Sequence, residues 1–311
     1  MQLIENLEAI KQPFSKAVIT IGNFDGVHIG HQALFSEVIQ KADSIGGSSM
    51  AMTFEPHPAR FLKKENFPPL ITLYEQKVEL ISRTGLDALV VVPFNEAFAS
   101  LSPREFVEDI LIKRLGVKVL IVGPDYCFGK GREGNVEYLQ QIAEPLDFEL
   151  MVVPWIGQAG PDGERISSTR IRELVQDGKI DEAKRLLGRD YQVRGMVVKG
   201  RNRGGKLLGF PTANIHLTDE LCPKTGVYAV TMQVDDAVYP AVANIGYSPT
   251  FDDYIFTVEV HALDFSGDLY DKKIKVNFIA RLRGEIKFPN LDALIEQIQE
   301  DIKIAREIIP L

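Results

Sequence analysis

The chain has 311 residues, 45% of them hydrophobic and 25% charged, a size at which two domains are more natural than one core. Its net charge of −8 and isoelectric point near 5.3 oppose broad electrostatic binding to nucleic acid or to an anionic membrane. Two distant cysteines (Cys127 and Cys222), no apolar run of membrane-spanning length and no signal-peptide core set the expectation of a cytoplasmic protein with inert thiols.

Apolar runs at 17–21, 49–54, 88–92, 117–122 and 148–153 read as buried parallel strands with helical patterns between them. The first run leads into Gly22-Asn23-Phe24-Asp25-Gly26-Val27-His28-Ile29-Gly30-His31, and then Leu34, Phe35, Val38, Ile39 and Ala42 recur at helical spacing. This is a strand, a glycine-rich turn and a helix start, where backbone N–H groups can hold phosphate. His28 and His31, three residues apart, can donate to a polyphosphate there. A zinc site on these two histidines is disfavoured, because no nearby cysteine or third histidine completes it.

Further along, Thr53-Phe54-Glu55-Pro56-His57-Pro58 follows the second strand. A helix is predicted over about 75–84, ended by Gly85. Another begins at Ser102-Pro103-Arg104-Glu105, an S-x-x-E capping box with proline in the first turn, and stops at Gly116. Gly123-Pro124-Asp125-Tyr126-Cys127-Phe128-Gly129 follows the fourth strand. Ile166-Ser167-Ser168-Thr169-Arg170-Ile171-Arg172 opens a helix, its hydroxyls placed to cap and its guanidinium to meet a phosphate. Strand–helix alternation predicts a doubly wound α/β sheet with ligands beyond the carboxyl ends of its strands.

The character changes near 187, giving predicted domains of 1–186 and 187–311. Residues 181–188 read as a short helix ended by Gly188. Alternating segments at 191–198, 226–234, 237–245, 255–264 and 273–282 predict a small antiparallel β-barrel, with Asp235-Asp236 as a hairpin turn. Apolar residues at 291, 294, 295, 298, 302 and 305 predict an amphipathic helix packed on it. The spacing at Gly200–Lys206 imitates a P-loop, but Leu207 stands where Ser or Thr is needed for Mg2+. Leu208-Gly209-Phe210-Pro211 also bars an immediate helix. In Gly209-Phe210-Pro211-Thr212-Ala213-Asn214, Thr212 and Asn214 project from one face of an extended segment and offer oxygens to Mg2+. Glu259 alternates with Val258 and Val260 and faces away from them.

The string G-x-F-D-G-x-H-x-G-H resembles the FAD-synthetase branch of the nucleotidyltransferases, and G-F-P-T-A-N resembles the riboflavin kinase signature. With the other strings in family order, the chain resembles the bacterial bifunctional riboflavin kinase/FAD synthetase family over about residues 15–290. The resemblance implies a Rossmann-like nucleotidyltransferase domain followed by a kinase β-barrel, with ATP, riboflavin, FMN and FAD as substrates or products and Mg2+ as cofactor. It assigns His28 and His31 to the ATP phosphates, within a turn formed by Gly22, Asn23, Phe24, Asp25, Gly26 and Gly30. Ser168, Thr169 and Arg172 would hold the β- and γ-phosphates, Asp125 and Phe128 would border the nucleotide, and Pro56 and His57 the FMN. In the second half, Gly209, Pro211, Thr212 and Asn214 form the kinase signature, Glu259 matches the catalytic base and Arg283 borders the flavin. Lys206 stands where the family often has arginine, and Asp271 where it commonly has glycine. A single-activity enzyme and a non-catalytic flavin-binding module are the rival readings. Small molecules, rather than nucleic acid or membrane, are the partners expected.

Overall fold

The computed structural model describes residues 1–63, 67–154, 165–198, 210–217, 219–249 and 254–309. The chain forms two compact units, Met1–Pro68 with Thr72–Ser168, and Pro69–Ile71 with Thr169–Leu311. Gly209 and the Gly200–Lys206 segment with its Lys206 departure lie outside the described residues.

In the first unit the strands are β1 (Gln2–Ile4), β2 (Ala17–Ile21), β3 (Ser48–Glu55), β4 (Ala88–Pro93), β5 (Val117–Val122) and β6 (Glu149–Val152). They form one sheet in the order β1-β4-β3-β2-β5-β6, every neighbouring pair parallel. Between them run α1 (Ile29–Ile45), α2 (Pro58–Lys63), α3 (Tyr74–Ser82), α4 (Glu96–Ala99), α5 (Pro103–Glu105) and α6 (Val136–Ala143). Successive strand residues face opposite sides, so each apolar run feeds two cores. Ile19, Ile21, Met50, Met52 and Val90 pack with Phe106, Leu111 and Leu139. Val18, Ala51, Leu89 and Ile121 pack with Phe35 and Val38 of α1 and Ile81 of α3. This is the doubly wound arrangement expected. From β2 the chain order runs one way through β3 and β4 and, after a crossover, the other way through β5 and β6, and open α/β sheets bind ligands in the crevice at such a switch.

Local signals are met where the chain uses side-chain chemistry. The Ser102 hydroxyl accepts from the Glu105 N–H at 3.3 Å, and the Glu105 carboxylate accepts from the Ser102 N–H at 2.8 Å. The helix then widens into π-helical turns over Phe106–Arg114, which nothing in its residue pattern marks, and ends at Gly116 with φ 70°.

The second unit contains β7 (Tyr191–Val198), β8 (Ala213–His216), β9 (Gly226–Val234), β10 (Ala237–Pro249), β11 (Tyr254–Ala262) and β12 (Lys273–Arg283). They close into a barrel in the order β10-β11-β8-β7-β12-β9, all pairs antiparallel. The buried residues of each strand alternate, as with Ala243 and Ile245, Val258 and Val260, and Ile274, Val276 and Phe278. Helices α7 (Ser168–Gln176) and α8 (Ile180–Leu187) precede the barrel, and α9 (Leu291–Ile308) follows it. Ile302, Ala305 and Ile309 cover Val227, Ala229 and Val242 on the barrel's outside. Asp235 turns between β9 and β10 with φ 52°, and Asp271 has φ 61°. Glycine adopts such angles without cost, and Asp tolerates them better than most residues.

Both cysteines are free thiols. Burial, reinforced by Glu220, pushes the Cys222 thiol up to about 12, so it stays protonated at neutral pH.

Candidate active sites

The turn after β2 is held under strain. The Gly22 N–H still donates to the Met52 carbonyl at 3.0 Å, extending the ladder by one step. Phe24, Gly26 and Val27 then take φ values of 47°, 87° and 40°. Two of these three carry side chains where glycine is favoured, at a cost of order 1–3 kcal/mol each. Burial holds them there, for the Phe24 ring meets Phe35 edge-on at 4.9 Å and His31 at 5.3 Å. Buried Asp25 braces the turn from below. Its carboxylate accepts from the Thr72 N–H at 3.0 Å and the Thr72 hydroxyl at 3.3 Å, and that hydroxyl accepts from the Gly26 N–H at 3.0 Å.

His28 ends the turn as the N-cap of α1. Its Nδ1 accepts from the His31 N–H at 3.3 Å, which leaves the proton of the neutral ring on Nε2 as a donor. The His28 and His31 rings stack with centroids 3.6 Å apart and planes 16° from parallel. Gly30 makes the stack fit, since a Cβ there would lie 3.2 Å from His28 Nδ1. Among the described residues, the N–H groups of Ile29 and Gly30 have no acceptor, which leaves two donors at the positive end of a 17-residue helix.

Other expected residues gather with unequal closeness. The Ser168 hydroxyl donates to the Asp25 carbonyl at 2.9 Å, and Thr53 donates to the Asn23 carbonyl at 3.2 Å. Pro56 and His57 follow β3 at the same carboxyl edge, where the buried His57 Nδ1 accepts from the Ala59 N–H at 3.1 Å. Asp125 is exposed and ion-paired with Arg165 at 2.8 Å. Phe128 is buried among Phe106, Tyr126 and Tyr138. Thr169 and Arg172 belong to the second unit, where the Arg172 Nε–H donates to the Pro69 carbonyl at 2.8 Å.

On the barrel, strand register builds the second constellation. Glu259 of β11 stands opposite Asn214 of β8 on one side and Asn244 of β10 on the other. Their chain neighbours Val258, Val260, Ala213, Ile215, Ala243 and Ile245 are buried in the interior, so the three polar side chains form one row on the outside. Burial raises the Glu259 carboxyl above the ordinary carboxylate range. The His261 Nδ1–H, two residues on, donates to the Pro211 carbonyl at 2.8 Å, and the Phe210 ring meets the His261 imidazole edge-on at 5.5 Å. These contacts fasten the Pro211–Asn214 segment beside Glu259.

The first constellation lies within residues 10–170, which match the family model described as FAD synthetase. The second lies within residues 187–309, which match the model described as riboflavin kinase. The bifunctional riboflavin kinase/FMN adenylyltransferase of Pseudomonas fluorescens is 39% identical over 309 residues, 99% of this chain and 98% of that one. The Escherichia coli K12 enzyme of the same name is 37% identical over 313 residues, covering 100% and 99%. The chain belongs to the bifunctional riboflavin kinase/FMN adenylyltransferase family. It is thus an enzyme with both catalytic domains of that family on one chain. A solved Streptococcus pneumoniae structure titled a macrolide-efflux protein is 34% identical over 98% of each chain, with a TM-score of 0.85. Among the described residues here, no helix is long and apolar enough to cross a membrane.

Within this bifunctional riboflavin kinase/FMN adenylyltransferase chain, Arg283 of β12 pairs with helix α9. Its Nε and Nη2 donate to the Asp301 carboxylate of α9 at 3.0, 3.1 and 2.7 Å. Asn244 and His261 stand beside Glu259 without being among the residues that the sequence assigns to the kinase site. Strand register, which one sequence does not carry, brings Asn244 beside Glu259, whereas His261 lies two residues along the same strand.

Proposed function

We propose that the turn around His28 catalyses FMN adenylylation and that the outward row around Glu259 catalyses riboflavin phosphorylation. The observation that carries this reading is the presence of both constellations, each with its polar side chains intact, on one chain of this family. The matches at 10–170 and 187–309 support assigning 1–186 to the transferase and 187–311 to the kinase. In the first site an FMN phosphate oxygen attacks the α-phosphorus of ATP in line. The new P–O bond forms as the bond to the β-phosphate oxygen breaks, and pyrophosphate leaves with the electron pair. Catalysis is positioning and charge stabilisation. His28, the helix start it caps, His31 and Ser168 hold the triphosphate; Asp125 and Phe128 border the nucleotide, and Pro56 and His57 border FMN.

In the kinase site Glu259 takes the proton of the ribityl 5′-hydroxyl as that oxygen attacks the γ-phosphorus and ADP leaves. A carboxylate made more basic by burial suits that task. Thr212 and Asn214 offer neutral oxygen donors, the ligand chemistry Mg2+ prefers when most of its shell is phosphate and water. Bound there, Mg2+ would neutralise charge on the transferring phosphates. An acidic, small-molecule enzyme with free thiols fits a cytoplasmic setting.

Incubation with riboflavin, ATP and Mg2+, followed by chromatographic separation of flavins, should give FMN and then FAD. His28→Ala should abolish FAD formation and leave FMN formation intact; Glu259→Ala should do the reverse when FMN is supplied. FMN accumulating without FAD from the native chain refutes the bifunctional reading. Loss of both activities from either folded variant refutes independent sites.

A further inference from the structure

Helix α3 borders the transferase turn, and it buries an ammonium group that the mechanism above does not use. Its buried residues are Gln76, Lys77 and Ile81. Lys77 is 4% exposed. Its Nζ lies 3.4 Å from the Asn23 carbonyl, 3.4 Å from the Thr53 hydroxyl and 3.5 Å from the Phe54 carbonyl. All three acceptors belong to the carboxyl ends of β2 and β3. These are the ends from which the His28 turn and the Pro56-His57 segment depart. Among the described residues no carboxylate reaches ion-pair distance of Lys77; Glu55 and Asp25 act on it only from further off. Burial pushes its pKa below the ordinary lysine range, opposed by those two carboxylates.

A side chain that merely filled this space would be apolar, because an ammonium gives up its hydration for three long contacts. What an ammonium adds is donors in several directions at once. Here they bridge two adjacent strand ends, which the Thr53 hydroxyl also joins by donating to the Asn23 carbonyl.

We propose that Lys77 is a positioning residue for FMN adenylylation, tying Asn23 of the His28 turn to the Thr53–Phe54 end of β3 so that the nucleotide-side and flavin-side loops keep one register. The inference rests on these loops forming the transfer site. Lys77 itself touches neither substrate. Its loss lets the two loops drift apart by fractions of an ångström, and in-line transfer is sensitive to such displacements. The effect therefore falls on kcat more than on the KM of either substrate.

Lys77→Met, Lys77→Arg and Lys77→Gln in the full-length chain test this, with FAD formation from FMN and ATP and FMN formation from riboflavin measured on each preparation. Lys77→Met is expected to lower kcat for FAD formation by at least tenfold, with KM for ATP and FMN within threefold and FMN formation within twofold. Lys77→Arg, which keeps a charged multiple donor, is expected to recover most of that loss. Native kcat per folded molecule in Lys77→Met overturns the proposal, as does a loss that Lys77→Arg leaves unrepaired. Should Lys77→Met not fold, Lys77→Gln is read instead, with the same tenfold expectation and the same refutation by native kcat. His28→Ala is the reference. If it too retains FAD formation, the site assignment fails; if it abolishes FAD formation while folded Lys77→Met or Lys77→Gln is native, only the Lys77 role fails.

Discussion

The pairing of Arg283 with Asp301 makes a quantitative prediction for the kinase unit. Asp301 is 2% exposed and accepts three hydrogen bonds from Arg283 and a fourth from Gln297 at 3.0 Å. Asp301→Ala strands the guanidinium, and breaking one side of a buried pair costs about 3–5 kcal/mol. The Arg283 side chain keeps 17% exposure and a bond from Nη1 to the Gly284 carbonyl, so the cost falls at the low end, about 3 kcal/mol. At about 3–5 °C per kcal/mol for a unit of this size, the melting temperature of the kinase unit drops by about 10 °C. Calorimetry of the full-length protein checks this, with the transition identified by adding riboflavin. The double replacement Arg283→Met with Asp301→Leu removes both charges and should regain most of the loss. A shift below 2 °C for Asp301→Ala, or a double variant no better than the single one, refutes the view that the pair is a buried structural clamp. A large rise in KM for riboflavin in the restored double variant would return Arg283 to the flavin.

Glu259→Gln should lower kinase kcat by about 10²–10⁴-fold, the usual worth of a general base, and leave FAD formation from supplied FMN unchanged. The raised carboxyl pKa binds its proton more tightly in the folded chain than in the unfolded one, so its stabilising contribution is present at low pH and lost as pH rises through that pKa. The Gln variant should therefore melt above the native protein at pH 7 and alongside it below pH 4; equal melting at both, or a retained kinase rate, refutes the assignment. Gly30→Ala places a methyl against His28 Nδ1 while favouring the helix, so FAD formation should fall about tenfold at unchanged melting temperature. Native FAD formation in that variant would show the histidine stack to be dispensable.

Long apolar runs made the parallel sheet legible, because strands buried on both faces need no alternation and leave little else to infer. The capping box at Ser102 and the Gly188 stop were equally direct, since each is a backbone requirement written in one residue type. Three-residue β1 buries only Ile4, too little to show a period. The Thr212–Asn214 stretch reads from sequence only as extended, and pairing with β11 and β7 is what makes β8 part of the barrel. Lys77 sits in the polar sequence Tyr74-Glu75-Gln76-Lys77, where nothing distinguishes a buried ammonium from a solvated one. Arg283 and Asp301 lie 18 residues apart in a strand and a helix, a separation no local pattern connects. What sequence withheld was the partner of each polar group, and partners are a property of register and packing.

The row Asn244–Glu259–Asn214 has a consequence for how this enzyme can change. With adjacent strands about 4.8 Å apart, the row spans about 10 Å with the base at its midpoint. That ruler is main chain, closed around a barrel, and no substitution along it alters the spacing. Evolution can therefore exchange the chemistry at each mark, amide for hydroxyl or carboxylate for amide, without re-solving the geometry. The transferase turn has no such freedom, because its shape depends on the same side chains that do its work. Of the two sites, the kinase row should tolerate wholesale replacement of its neighbours, and the histidine turn should be inherited as a block.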